Sequence, residues 1–151
     1  MVYTLACFLS DKIAAFAPVS GSMSPDDYQL CNPQRSIPVI HIHGINDDSI
    51  PVQGSDYVTP LQDVSSYLSS INNCAQNSVV DGEDTNEDGY AWYSEISSDC
   101  NDNVTVNFTY LENFGHNWPS TESSKGGGAD IDGASFIWEF LFNYDINGST
   151  N

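Results

Sequence analysis

The stretch Ile37-Pro38-Val39-Ile40-His41-Ile42-His43-Gly44-Ile45-Asn46-Asp47-Asp48 constrains the fold more than any other part of the chain. Its first half is short, apolar and uncharged, the pattern of a strand buried on both faces of a parallel sheet. It stops at a glycine and presents two carboxylates within four residues. Far downstream a second apolar run ends in a similar way, at Gly115-His116-Asn117-Trp118-Pro119. Open α/β sheets place their chemistry at the carboxyl ends of strands. An acid after one strand and a histidine after a later one make two thirds of a Ser-His-Asp constellation.

Composition bounds what such a site acts on. The 151 residues fit one domain or a piece of a larger one, and 40% apolar with 12% aromatic residues suffice for a packed core. Three basic residues face 21 acidic ones, a formal charge of −18. That surface repels nucleic acid and anionic membranes, which are bound chiefly through Lys and Arg. Cys7, Cys31, Cys74 and Cys100 show no CxxC spacing, which argues against a zinc ribbon or a thioredoxin-like pair. An even count points to two disulfides and an oxidising compartment; four buried thiols are the alternative. Of three possible connectivities, Cys7–Cys31 with Cys74–Cys100 closes the shortest loops. Neither a secretory leader nor a membrane span is visible, and the chain opens directly in an apolar segment, which reads as a cut through a longer protein.

In order, residues 1–12 read as the end of a helix and 13–21 as a small apolar strand. Residues 22–36 read as a polar loop, followed by the strand over 37–44. Leu61, Val64, Leu68 and Ile71 recur at three and four residues and predict a helix over about 58–72. Residues 73–88 are acidic and polar, hence loop, while 90–96 and 104–111 alternate as strands do. The Gly- and Ser-rich segment 121–129 is flexible by composition. An aromatic-rich amphipathic helix over 130–144 and a polar tail over 145–151 complete an α/β layout with too few strands for a full doubly wound sheet.

Leu5-Ala6-Cys7, Phe16-Ala17-Pro18-Val19-Ser20-Gly21, His43-Gly44-Ile45-Asn46-Asp47 and Gly115-His116-Asn117-Trp118-Pro119 together resemble secreted esterases of the polyhydroxybutyrate depolymerase and feruloyl esterase type. Those proteins are α/β-hydrolases. The resemblance implies that residues 1–144 are the carboxyl-terminal part of one α/β-hydrolase domain with an acidic hairpin inserted. It makes Asp47 the triad acid and His116 the general base, and sets Trp118 beside the substrate. The family's Gly-x-Ser-x-Gly nucleophile turn belongs immediately ahead of Met1 and is not in this sequence. The implied activity is serine carboxylic-ester hydrolysis, with no cofactor, of a neutral polysaccharide-linked or polyester substrate outside the cell. A fragment lacking the nucleophile is expected to be inactive alone.

Other readings of the same residues stand beside this one. Asp48 is adjacent to Asp47 and offers a carboxylate from a shifted loop. His41 and His43 lie two apart on one strand face and, with Asp47 and His116, form a potential zinc ligand set for a metal-dependent hydrolase. In the strand, His43 is expected to order the following loop through a backbone hydrogen bond. Asp84-Thr85-Asn86-Glu87-Asp88-Gly89 followed by Glu95 matches the EF-hand expression, although the flanks read as loop and strand rather than helices. That leaves a noncatalytic carbohydrate- or calcium-binding module as a further alternative.

Overall fold

A computed structural model of the chain describes residues 1–85, 87, 89, 91–122 and 128–150. Helix α1 (Val2–Phe8) is followed by α2 (Pro25–Leu30), β1 (Val39–Gly44), α3 (Leu61–Ile71), β2 (Gln76–Asp81), β3 (Trp92–Ser98), β4 (Val106–Leu111) and α4 (Gly133–Leu141). The last described residues form a short hairpin, β5 (Tyr144–Asp145) with β6 (Gly148–Ser149).

The four-stranded sheet has the order β1-β4-β3-β2. Only β1 and β4 run parallel; β4 with β3 and β3 with β2 are antiparallel. This overturns the expected portion of a parallel α/β-hydrolase sheet. The domain is instead a small one with a mixed, mostly antiparallel sheet, few helices and two disulfides. Connection length explains the difference. A parallel return needs a dozen or more residues, and the stretch 99–105 between β3 and β4 is too short for one. The hairpin taken as an insertion is therefore half of the sheet itself.

Three segments differ from their sequence reading for identifiable reasons. Residues 13–21 form no strand but two isolated parallel bridges to β1, Phe16 with Val39 and Val19 with Ile42. The Phe16 and Ser20 amides donate to Pro38 O and Ile42 O; Pro18, between them, has no N–H, so the ladder breaks. Residues 22–36, read as loop, contain α2. There Ser24 Oγ accepts from the Asp27 amide, Pro25 opens the helix, and Asp26 and Asp27 sit in its first turn. Residues 73–88 contain β2, an edge strand exposed at all six positions, so no apolar alternation marks it. Asn86, Asp88 and Tyr90 of the acidic loop, and 123–127 of the Gly- and Ser-rich segment, lie outside the described residues, as do the calcium-loop positions among them.

Strand β1 is buried along its whole length. Val39 faces the main core with Tyr3, Phe16, Leu61, Val64, Leu68 and Phe108, whereas Ile42 faces a second core with Leu111, Phe114 and Ile131, against which Phe136 of α4 packs. Fully buried side chains such as Leu68 and Phe108 each contribute about 1.5–3 kcal/mol by leaving water. The entry to β1 is fixed by Asn72, whose fully buried carboxamide accepts from the Ile37 amide and donates to the Ile37 carbonyl. Arg35, one of three basic residues, clamps the turn after α1 by donating to the carbonyls of Ser10, Ile13, Ala14 and Ser36.

Disulfides Cys7–Cys31 and Cys74–Cys100 span 24 and 26 positions. Loops of that length correspond to about 3.5 kcal/mol each on the chain-entropy account. The first ties α1 to the end of α2, the second the end of α3 to the turn after β3. Among the described residues no helix is long and apolar enough to cross a membrane.

Candidate active site

Parallel neighbours β1 and β4 end side by side, with Gly44 opposite Leu111. The chain beyond each end is bonded to the other: the Ile45 amide donates to Leu111 O, and the Asn46 amide to Phe114 O, both at 2.9 Å. Gly44 makes that approach possible. A Cβ there would stand 2.2 Å from Phe114 O and 2.6 Å from Gly115 O, which are backbone atoms that cannot swing aside. Gly44→Ala is therefore expected to push the 114–116 turn off the sheet end. The cost should be about 1–3 kcal/mol in urea unfolding, the range for overpacking, and the turns bearing Asp47 and His116 should separate. Wild-type stability in this variant would show that the two turns are not in contact in solution.

Asp47 lies in the turn after Gly44 and is 3% exposed. Its Oδ1 accepts from the amides of Ser49 and Ile50, at 2.9 and 2.8 Å, a local Asx-type turn that orients the carboxylate. Its Oδ2 accepts from His116 Nδ1 at 2.8 Å. Burial alone would push the Asp47 carboxyl up; the Ile50 amide, the His116 ring and the Ser49 amide outweigh it and hold the group below the ordinary carboxylate value. As an anion it accepts only, so the His116 proton is assigned to Nδ1 and the lone pair to Nε2. The His116 side chain is 48% exposed while that of Asp47 is sealed. An acid buried behind a base that is open to solvent suits proton transfer to and from a substrate. Asp48, the alternative carboxylate, is exposed in the same turn.

His116, Asn117 and Trp118 line one side of a cavity of about 390 Å³, and Val2, Ala17, Val19 and Ser20 line the other. These walls are mostly apolar, as a pocket for an uncharged acyl group would need. Trp118 is half exposed there. Sequence analysis did not single out Ser20. It takes a left-handed backbone (φ 48°) at the cavity rim, and its Oγ donates to Asn117 O at 3.5 Å, a long contact. A larger hollow, about 890 Å³, lies between α3 and the β2–β3 hairpin. Its hydroxyl- and amide-rich lining includes no histidine, whereas His116 lines the smaller cavity.

His41 and His43 are fully buried on the main-core side of β1. His41 is bonded through Nδ1 to Tyr3 Oη and through Nε2 to His43 Nδ1; His43 Nε2 donates to Ile50 O at 2.8 Å. With every ring nitrogen of the pair engaged, neither has a lone pair for a cation. Among the described residues no group of three His, Cys, Asp or Glu is arranged to hold a metal ion. The zinc ligand set read from the sequence finds no support in this arrangement.

Over 141 residues the chain is 28% identical to XynS20E, a bifunctional acetylxylan esterase/xylanase of Neocallimastix patriciarum, an alignment covering 93% of this chain and 18% of that protein. The likeness is distant and partial, to a carbohydrate-active esterase. This chain thus spans under a fifth of the relative's length. No protein-family model matches it.

Proposed function

We propose that this chain supplies the acid and base of a serine carboxylic-ester hydrolase that removes acyl groups from polysaccharide outside the cell. The observation that carries the proposal is the Asp47 Oδ2 to His116 Nδ1 bond, 2.8 Å long, with the imidazole at the rim of an apolar cavity. His116 Nε2 takes the proton of a serine hydroxyl as that oxygen attacks the ester carbonyl. The ring then returns the proton to the departing alcohol, leaving an acyl-enzyme for water to cleave by the same route. Asp47 keeps the tautomer correct and stabilises the imidazolium between the two transfers. The serine is contributed by polypeptide beyond these 151 residues.

Three further observations support the reading. The relative's name includes acetylxylan esterase activity. A charge of −18 favours an uncharged substrate over a polyanion. The disulfides fit an oxidising compartment. Acetylated xylan and p-nitrophenyl acetate are the substrates to assay, in a longer polypeptide containing this chain. His116→Ala is expected to lower kcat there by about 10⁴-fold or more, and the 151 residues alone to show no turnover above their own His116→Ala control. Turnover that survives the substitution would remove His116 from the chemistry.

A further inference from the structure

We infer that Tyr3, His41 and His43 form a buried chain of hydrogen bonds running in one direction, which ends on the Asp47 turn and pins its carboxylate; all three are positioning residues. The direction follows from one fixed point. Ile50 O can only accept, so the His43 proton is on Nε2, 2.8 Å from that oxygen and 3.3 Å from Asp47 Oδ2, a second acceptor. A neutral His43 then has a lone pair at Nδ1, and His41 Nε2, 2.9 Å away, must donate to it. That leaves the His41 lone pair at Nδ1, where the Tyr3 hydroxyl donates at 2.6 Å. Reversing any one bond would place two lone pairs or two protons face to face.

The surroundings keep the rings neutral. Burial pushes His41 well below its ordinary value, with His43 adding to the shift. Burial also lowers His43, helped by His116 and opposed by Ile50 O and Asp47. Tyr3, faced by His41 and Tyr110, is held in its hydroxyl form by burial first and Tyr110 second. Phe108 stacks on His41 at 4.8 Å between ring centres and closes that side to water.

At its far end the chain grips the Asp47 turn through a single residue. The Ile50 amide donates to Asp47 Oδ1 while the Ile50 carbonyl accepts from His43. The carboxylate thereby has four donors around it: the Ser49 and Ile50 amides, His116, and His43 at the longer distance. The functional meaning of this grip rests on the acid–base reading of Asp47 and His116, but its hydrogen-bond direction does not.

The test is ¹⁵N NMR of the histidine rings in the folded chain, with Tyr3→Phe as the variant, because it deletes one hydroxyl and keeps the ring. In the wild type, His41 and His43 should both be neutral and protonated on Nε2 at pH 7. In Tyr3→Phe both rings should keep the proton on Nε2, because Ile50 O still sets the direction, while the His41 Nδ1 signal should move downfield as its lone pair loses the hydroxyl donor. In the ester-cleaving polypeptide the same variant should lower kcat about fivefold, the worth of one hydrogen bond, with KM unchanged. A proton on His43 Nδ1, a cationic ring at pH 7, or ring signals and kcat indifferent to Tyr3→Phe would each overturn the inference. Ester cleavage absent from the longer polypeptide, with the nitrogen pattern as expected, would instead overturn the esterase reading and leave the hydrogen-bond direction standing.

Discussion

Lowering the pH from 7.5 to 5.5 is expected to reduce the folding stability of this domain through His41 and His43, by up to about 1.4 kcal/mol for a ring that stays neutral throughout. Both rings are fully buried, and burial holds each below its ordinary value in the folded state. The unfolded chain binds their protons at about pH 6.5. A base depressed on folding gives stability that is complete above its unfolded value and is lost as pH falls below it, because only the unfolded state gains the proton. Each ring contributes up to about 1.4 kcal/mol per pH unit once the solution is well below pH 6.5. Carboxylates in free peptides ionise near pH 4, well below this window. Asp47, held below its ordinary value, adds a further loss only in that lower range. Urea midpoints measured at half-unit steps of pH would read the effect directly. A flat profile from 7.5 to 5.5 would mean that the native rings take up protons over the same range as the unfolded chain.

Asp47→Asn should leave the fold in place and disable the base. The carboxamide oxygen can still accept from the Ser49 and Ile50 amides, which occupy Oδ1. The other end of the side chain then becomes an NH₂ group facing His116 Nδ1, so the imidazole must present its lone pair inward and its proton outward. A ring in that tautomer cannot take a proton from a hydroxyl. Where such an exchange leaves geometry intact, the rate falls by about 10⁴-fold. Nitrogen chemical shifts of His116 would report the tautomer in the isolated chain, and acetyl release the rate in the longer polypeptide. Finding the wild-type tautomer in the variant would remove Asp47 as the group that sets it. The same NH₂ group would also confront the His43 Nε2–H, so stability should fall by about 1–3 kcal/mol.

How far these elements could be read in advance depended on what each pattern encodes. Apolar runs closed by Gly44 and Gly115 announced two strand-end turns, and those turns do bring Asp47 and His116 together. Alternation over 104–111 marked a strand but could not give its partner or direction, because a period of two is common to parallel and antiparallel pairing. That ambiguity let the family resemblance impose a parallel sheet that the structure does not have. Connection length was the better guide. Strand β2 carries no signal, being exposed along its length, whereas Ser24-Pro25-Asp26-Asp27 is the cap and first turn of α2, set among polar residues that otherwise have a loop's composition. Tyr3 could not have been connected to His41 from spacing, since a contact across 38 positions depends on how α1 folds back over the sheet.

Asp47 and His116 stand 69 positions apart, yet the gap between their turns is set by one spacing between adjacent strands, about 4.8 Å. Everything the chain does between those strands, α3 and the β2–β3 hairpin included, leaves and returns without entering that measurement. Descendants of this sequence are therefore free to lengthen, trim or redecorate the excursion, and to change what they recognise with it, while the pair keeps its separation.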